Sequence, residues 1–273
     1  MTSIKHGLAL AMALVLGCAL AGPARADDAL KAALANPQRT PANVARDVWR
    51  HPYETLSFFG IRPDMTVVEL SPGGGWYTEI LAPYLKPRGQ LIVAGDDPES
   101  IHAYFQRSAA RMEQRLKANP DMYGKAQVAV FAPPSKLQYA ASGSADMVLT
   151  FRNVHNWAAQ GDAVVAAAFK SVFDSLKPGG VFGVVDHRLP ADRVQDAKAS
   201  SGYVHVGYVL RLAQSAGFKL AAASEINANA KDTADHPGGV WALAPTFRNK
   251  DQDRARFEAI GESDRFTLKF VKP

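Results

Sequence analysis

The chain has 273 residues and a formal net charge of +5, long enough for one large core and only mildly basic. Its basic residues are scattered along the sequence rather than clustered, which argues against a nucleic-acid partner. A single cysteine, Cys18, excludes disulfides, thiol nucleophiles and cysteine-built zinc sites from everything that follows it.

Residues 1–26 read as an export signal. Lys5 supplies a short positive start, Gly7 to Leu20 is an unbroken apolar run, and Pro23 precedes the small-x-small site Ala24-Arg25-Ala26. An apolar run of this length, about 14 residues, falls short of the roughly 20 needed to span a bilayer. Cleavage after Ala26 would leave 29 basic and 26 acidic residues, a net of +3, in a periplasmic protein. Val15-Leu16-Gly17-Cys18 also resembles a bacterial lipobox, whose alternative outcome is a lipoprotein anchored to the membrane through Cys18.

From Ala29 to Phe59 the pattern is helical in two pieces, broken around Asn36–Pro41. Thr40-Pro41 is a helix start with proline at the first position. The second piece is apolar at Val44, Val48, Leu56 and Phe59, with Pro52 interrupting it. Beyond residue 60 the chain alternates: strand Thr66–Leu70, helix Trp76–Leu85, strand Gln90–Ala94, helix Ser100–Ala118, and strands Gln127–Phe131 and Asp146–Phe151. Then follow helix Ala163–Leu176, the turn Lys177-Pro178-Gly179-Gly180, strand Val181–Asp186 and helix Gly207–Ala216. Further strands are expected near Phe218–Ile226, Val240–Ala244 and Thr267–Val271. Short apolar runs alternating with helices predict a mostly parallel, doubly wound, Rossmann-like α/β sheet covered on both faces. The expected organisation is a signal at 1–26, a helical segment at 27–60 and an α/β domain at 61–273.

"VVELSPGGGWYTEIL", Val67 to Leu81, places an acid and three glycines where the first strand gives way to a helix. In such a sheet ligands bind beyond the carboxyl ends of the strands. Gly73 and Gly75 permit positive φ and close backbone approach, and the following helix directs N–H groups to the same place. As a dinucleotide fingerprint the stretch is imperfect, because Thr78 replaces the third glycine. An acid at Glu69 suits a ligand carrying positive charge and would repel a pyrophosphate.

At these residues the chain resembles the class I S-adenosylmethionine-dependent methyltransferases. Their first motif, acid-x-Gly-x-Gly-x-Gly, is matched by Glu69-Leu70-Ser71-Pro72-Gly73-Gly74-Gly75, with Ser71 in the first glycine's place. Asp96 or Asp97 in "VAGDDP" stands for the acid that grips the ribose. Leu176-Lys177-Pro178-Gly179-Gly180 matches the turn before the family's fifth strand, and "LAQSAGF" resembles its segment before the last strands. The acid that contacts adenine after strand three has no counterpart in "VFAPPS". "FRNVHNW" and "GESDRFTLKFVKP" resemble an exported bacterial branch known as predicted methyltransferases. The resemblance implies the cofactor S-adenosyl-L-methionine, held by Glu69, Ser71, Gly73, Gly75 and Asp96 or Asp97, and methyl transfer to a small acceptor.

Acceptor chemistry is expected after strands four and five. His155 and His187 are the candidate bases, Asp186 orients one of them, and Asn153 and Arg188 are candidate substrate contacts, Arg188 for an anionic acceptor. Arg152 and Arg188 could equally pair with nearby carboxylates. The spacing of Asn153, Asp186 and the two histidines matches no standard ligand pattern, so no metal is expected. Tyr53 and Glu54 read chiefly as packing or surface residues, Asp235 to Trp241 as a polar turn able to act as a lid, and Trp241 as core. The competing reading is a non-catalytic periplasmic ligand-binding protein that has kept this fold, since fold alone does not fix function.

Overall fold

The computed structural model describes Asp27 to Pro273; the signal-peptide and Cys18 readings lie outside the described residues. Four short helices open the chain: α1 (Asp28–Leu34), α2 (Pro41–Val44), α3 (Asp47–Arg50) and α4 (Pro52–Phe59). His51, left-handed at φ 40°, separates α3 from α4, so Pro52 sits at a first helical position, where its missing N–H costs nothing. The alternating region follows as β1 (Thr66–Leu70), α5 (Thr78–Leu85), β2 (Gln90–Gly95), α6 (Ala103–Ala118), α7 (Pro120–Tyr123) and β3 (Gln127–Val130). Next come β4 (Ala145–Phe151), α8 (Val154–Ala158), α9 (Asp162–Ser175), β5 (Leu176–His187), α10 (Val206–Ser215) and β6 (Lys219–Ser224). The chain closes with α11 (Arg254–Ile260) and β7 (Arg265–Val271).

The seven strands form one sheet in the order β3-β2-β1-β4-β5-β7-β6. All neighbours from β3 to β5 pair in parallel, whereas β7 runs antiparallel to both β5 and β6. The central strands are apolar on both faces because helices cover both. Along β1, Val68 and Leu70 enter a core with Phe169, Phe182 and Phe218, while Val67 faces the opposite core with Leu56, Phe59 and Leu81. Glu69 shares the face of Val67 through the two-residue period of a strand. On that same face Gly183 of β5 carries no side chain, and the ring of Phe59 occupies the space, 3.0 Å from where a Cβ would stand. Among the described residues no helix is long and apolar enough to cross a membrane.

The expected and observed elements differ in places. Val240–Ala244 is not a strand: Gly239–Ala242 forms a 3-10 turn that packs under Ser201, through Val240 N–H donating to the Ser201 carbonyl. Helix α8 follows β4 without any apolar period long enough to reveal it. The expected turn at 177–180 is present within β5: its pairing with β4 skips from Leu176 to Val181, and Gly179, left-handed at φ 77°, donates its N–H to the Lys272 carbonyl. Val44 and Val48 also lie on the surface, at 43% and 66% exposure, while Leu56 and Phe59 are fully buried. The apolar period of this segment therefore belongs to α4 and not to α2 and α3.

Phe59 carries the packing of the N-terminal helices onto the sheet. Phe59→Ala should cost about 3–5 kcal/mol by cavity formation, measured as a drop in urea midpoint at constant slope. A loss under about 1 kcal/mol would show that the helices contribute little to the core.

Candidate active site

The glycine loop leaves β1 through two left-handed residues, Ser71 at φ 49° and Gly73 at φ 57°. Asn153, just past β4, holds this conformation by donating Nδ2–H to the carbonyls of Leu70 (3.1 Å) and Ser71 (3.3 Å) and to Thr150 Oγ1. The amide nitrogen of Asn153 is thus engaged in fastening two strand ends together, which leaves only Oδ1 for a substrate contact. A Cβ on Gly73, Gly74 or Gly95 would meet nothing within 4 Å, so the ends of β1 and β2 border open space. Gly75 behaves otherwise. It needs its positive φ of 79°, but a Cβ there would press on Met112, Arg115 and Thr78, so this glycine makes room for packing and not for a ligand.

Glu69 is 2% exposed and accepts from Thr78 Oγ1 at 2.6 Å. Burial pushes its carboxyl up to about 8, with the Thr78 bond opposing the rise. It stands behind the loop and presents no open carboxylate to the cavity. Of the two acids after β2, Asp97 is engaged by Lys136 Nζ at 2.9 Å and by the Glu99 backbone N–H. Asp96 makes no side-chain hydrogen bond with any described residue and lines a cavity of about 800 Å³ together with Pro72, Gly73 and Gly95.

The ends of β4 and β5 bring the sequence candidates together. Asp186 is fully buried; it accepts His155 Nδ1–H at 2.8 Å and the backbone N–H groups of His155 and His187. His155 is therefore the histidine that Asp186 orients, leaving Nε2 as its free nitrogen. His187 lies 5.1 Å away between ring centroids, with Nδ1 on Ser263 Oγ. Burial, then the charges of His155 and three arginines, hold His187 well below the ordinary imidazole range, so it stays neutral at physiological pH. His155, Asp186 and His187 each offer a ligand atom within 4.8 Å of the others. Their surroundings are cationic and two of Asp186's lone pairs face backbone N–H groups, a setting that disfavours a metal ion.

Arg188, expected to reach an anionic acceptor, is instead held by Asp264 (2.9 Å), Glu225 (2.6 Å) and the Arg265 carbonyl. Trp241 is partly exposed, packs against the small core of Leu189, Tyr203, Ala234 and Val240, and stands edge-on to His155 at 6.0 Å between centroids. Asp235 to Trp241 is no loose lid, because His236 is buried against Asp232 at 2.8 Å. Tyr53 bonds the Asp27 backbone and Glu54 faces solvent, as packing and surface residues do.

A charged cluster that sequence reasoning missed lies against this pair. Glu262, 3% exposed, accepts from Arg46 Nε (2.6 Å) and Arg50 Nε (3.0 Å) and pairs with Arg265 Nη1 (3.2 Å). Burial raises its pKa, but the facing arginines Arg50, Arg265, Arg152 and Arg46 prevail and hold it down to about 2. Tyr77, stacked on Phe151 at 3.5 Å, approaches the same arginines. The only advance signal was the i, i+4 spacing of Arg46 and Arg50, which shares a helix face; nothing local connects it to Glu262, 212 positions beyond Arg50.

No protein-family model matches the sequence, and no curated protein does. The structure, in contrast, superposes on an S-adenosylmethionine-dependent methyltransferase from Aquifex aeolicus (TM-score 0.55, 12% identity, 86% of this chain and 95% of that one). It is also similar to a geranyl diphosphate C-methyltransferase from Streptomyces coelicolor, solved with Mg2+, geranyl diphosphate and S-adenosyl-L-homocysteine (0.53, 13%, 89% and 88%). A third similar structure is described as a possible exported protein from Bordetella parapertussis (0.51, 16%, 86% and 71%). The fold is that of the class I methyltransferases.

The protonation of Glu69 gives a test of this site's electrostatics. A carboxyl raised from 4.5 to about 8 on folding contributes stability in full below about pH 4.5 and loses it as pH rises towards 8. Glu69→Gln, which cannot ionise, should therefore gain on the wild type between pH 5 and 8.5 in urea midpoint. A gap between the two proteins that stays constant over that range would show that Glu69 is ionised throughout.

Proposed function

We propose that the protein is an S-adenosylmethionine-dependent methyltransferase acting on a small acceptor outside the cytoplasm. The observation that carries this reading is the open space at Gly73, Gly74 and Gly95 beside Asp96, whose carboxylate has no hydrogen-bond partner among the described residues. A glycine cradle next to an unengaged acid at the ends of β1 and β2 fits a nucleoside ligand. Asp96 would take the ribose hydroxyls, and the backbone at Gly73 and Gly74 would border the rest. The bound cofactor supplies a methyl group on a sulfonium, open to in-line displacement, so the protein's share of the work is mainly positioning.

His155 Nε2 takes the proton that a protonated acceptor must lose, and Asp186 holds the opposite nitrogen as the donor and stabilises the imidazolium formed. His187, kept neutral beside it, receives a hydrogen bond from Ser263 or donates one to it, and does not compete for that proton. The export reading rests on residues 1–26 and is supported by the similarity to the Bordetella parapertussis structure.

S-adenosylhomocysteine should raise the melting temperature of the chain from Asp27 to Pro273 by about 5–10 °C at about 100 times its Kd, and NAD should not. Asp96→Ala should abolish most of that rise, while Asp97→Ala keeps it, because Asp97 is already bound to Lys136. No rise with the wild type would sink the cofactor assignment and favour a retained fold with a different ligand. Equal losses in both variants would sink the role given to Asp96.

A further inference from the structure

Four guanidiniums, those of Arg46, Arg50, Arg152 and Arg265, meet at the carboxyl ends of β4 and β5 and the start of β7. Set against them are Glu262 and Asp186, leaving surplus positive charge in a largely buried place. The surplus is visible atom by atom. Arg50 is 1% exposed, and its Nη2 has no hydrogen-bond partner; the buried Nη2 of Arg46 has none either. Arg152, half-buried, makes no side-chain hydrogen bond or ion pair with any described residue. Its backbone is also left-handed at φ 63°, a conformation that is strained for any residue with a side chain and persists where surrounding structure enforces it. Burial and the neighbouring Arg152 lower the pKa of Arg50 to about 9. Buried guanidinium N–H groups without partners are expensive; those of Arg50 and Arg46 are closed to solvent, so an anion would reach the cluster through the half-buried Arg152 and offset the charge behind it.

We propose that Arg152, with Arg50, Arg46 and Arg265 behind it, forms the binding site for an anionic group, carboxylate or phosphate, on the methyl acceptor. The placement supports the acceptor over the cofactor. Asp96 follows β2, the glycine loop follows β1, Arg152 follows β4, and Asp186 and His187 close β5. From β2 to β5 is three strand spacings, roughly 14 Å at about 4.8 Å each. The arginines therefore stand on the His155 side of the sheet edge, across the glycine loop from Asp96. Arginine rather than lysine suits the task, since a planar fork grips carboxylate or phosphate bidentately. The assignment to an acceptor rests on the methyl-transfer reading; the anion site itself does not.

The test compares thermal unfolding in sodium phosphate with that in sodium chloride at equal ionic strength, for the wild type, Arg152→Gln and Arg111→Gln, a surface control on α6. At low millimolar concentration, below the range where its exclusion stabilises proteins generally, phosphate should stabilise the wild type and Arg111→Gln by several degrees and leave Arg152→Gln unmoved. Without phosphate, Arg152→Gln should melt at or above the wild-type temperature, because one of four crowded positive charges is gone. A variant that melts several degrees lower, or fails to fold, would show that Arg152 is structural and overturn the proposal. So would a phosphate shift that survives in Arg152→Gln. In parallel, the S-adenosylhomocysteine shift should be the same in wild type and Arg152→Gln. Its loss in the variant would assign the arginines to the cofactor's own carboxylate and overturn the acceptor site. A phosphate shift lost in Arg152→Gln, with no S-adenosylhomocysteine shift in either protein, upholds the anion site and sinks only the methyl-transfer reading.

Discussion

The buried carboxylate of Glu262 is the constraint on which the site's architecture depends. It draws Arg46 and Arg50 from the N-terminal helices and Arg265 from the last strand to one point. Ion clusters of this kind are a poor source of stability, because desolvation consumes most of the Coulombic attraction. Removing the acid would be worse still, leaving three buried guanidiniums without their shared partner. The cluster is better understood as fixing position. It sets where α3 lies relative to β7, and with α3 the ring of Trp76, which sits 4.7 Å from the Arg50 guanidinium and donates its own N–H to the Asn43 carbonyl.

A second fastening works in the same way at smaller scale. Asn153 bridges the turn after β1 to the end of β4 with three donated hydrogen bonds. One amide therefore couples the glycine loop to the segment carrying Arg152 and His155. The ends of β1 and β4 are thereby joined by a buried polar contact instead of a flexible linker.

Much of the fold was legible in the sequence because the central strands are continuous apolar runs, and burial on both faces allows little else. Leu91–Ala94 and Met147–Leu149 announce themselves in this way, and Val67–Leu70 does so apart from Glu69. The exceptions have local causes. Val240–Ala244 reads as a strand by composition, but Gly239 is pressed against Ser201 and Gly239–Ala242 turns instead. In the site, Asp186 with His155 could be named because one closes a strand and the other lies just beyond one. Which histidine the acid holds could not, since that depends on a helix, α8, too short to show a period. The contacts of Asn153, Arg188 and Gly75 could not be fixed from the sequence for one reason: each is engaged by a residue distant in sequence, and for Arg188 it is the carboxylate-pairing alternative that the structure bears out. Glu262 and its arginines were missed on the same ground.

The Arg50–Glu262 contact spans 212 positions, and β7 is inserted between β5 and β6 only after every other strand is in place along the chain. Contacts of such long separation form late and slow a fold. The glycine cradle at β1 lies early in the chain and can take shape first, whereas the arginine cluster cannot exist until the last strand has joined. A newly made chain would therefore pass through a stage with half a site. One threaded across a membrane unfolded would arrive with neither half, and would have to take up any cofactor on the far side.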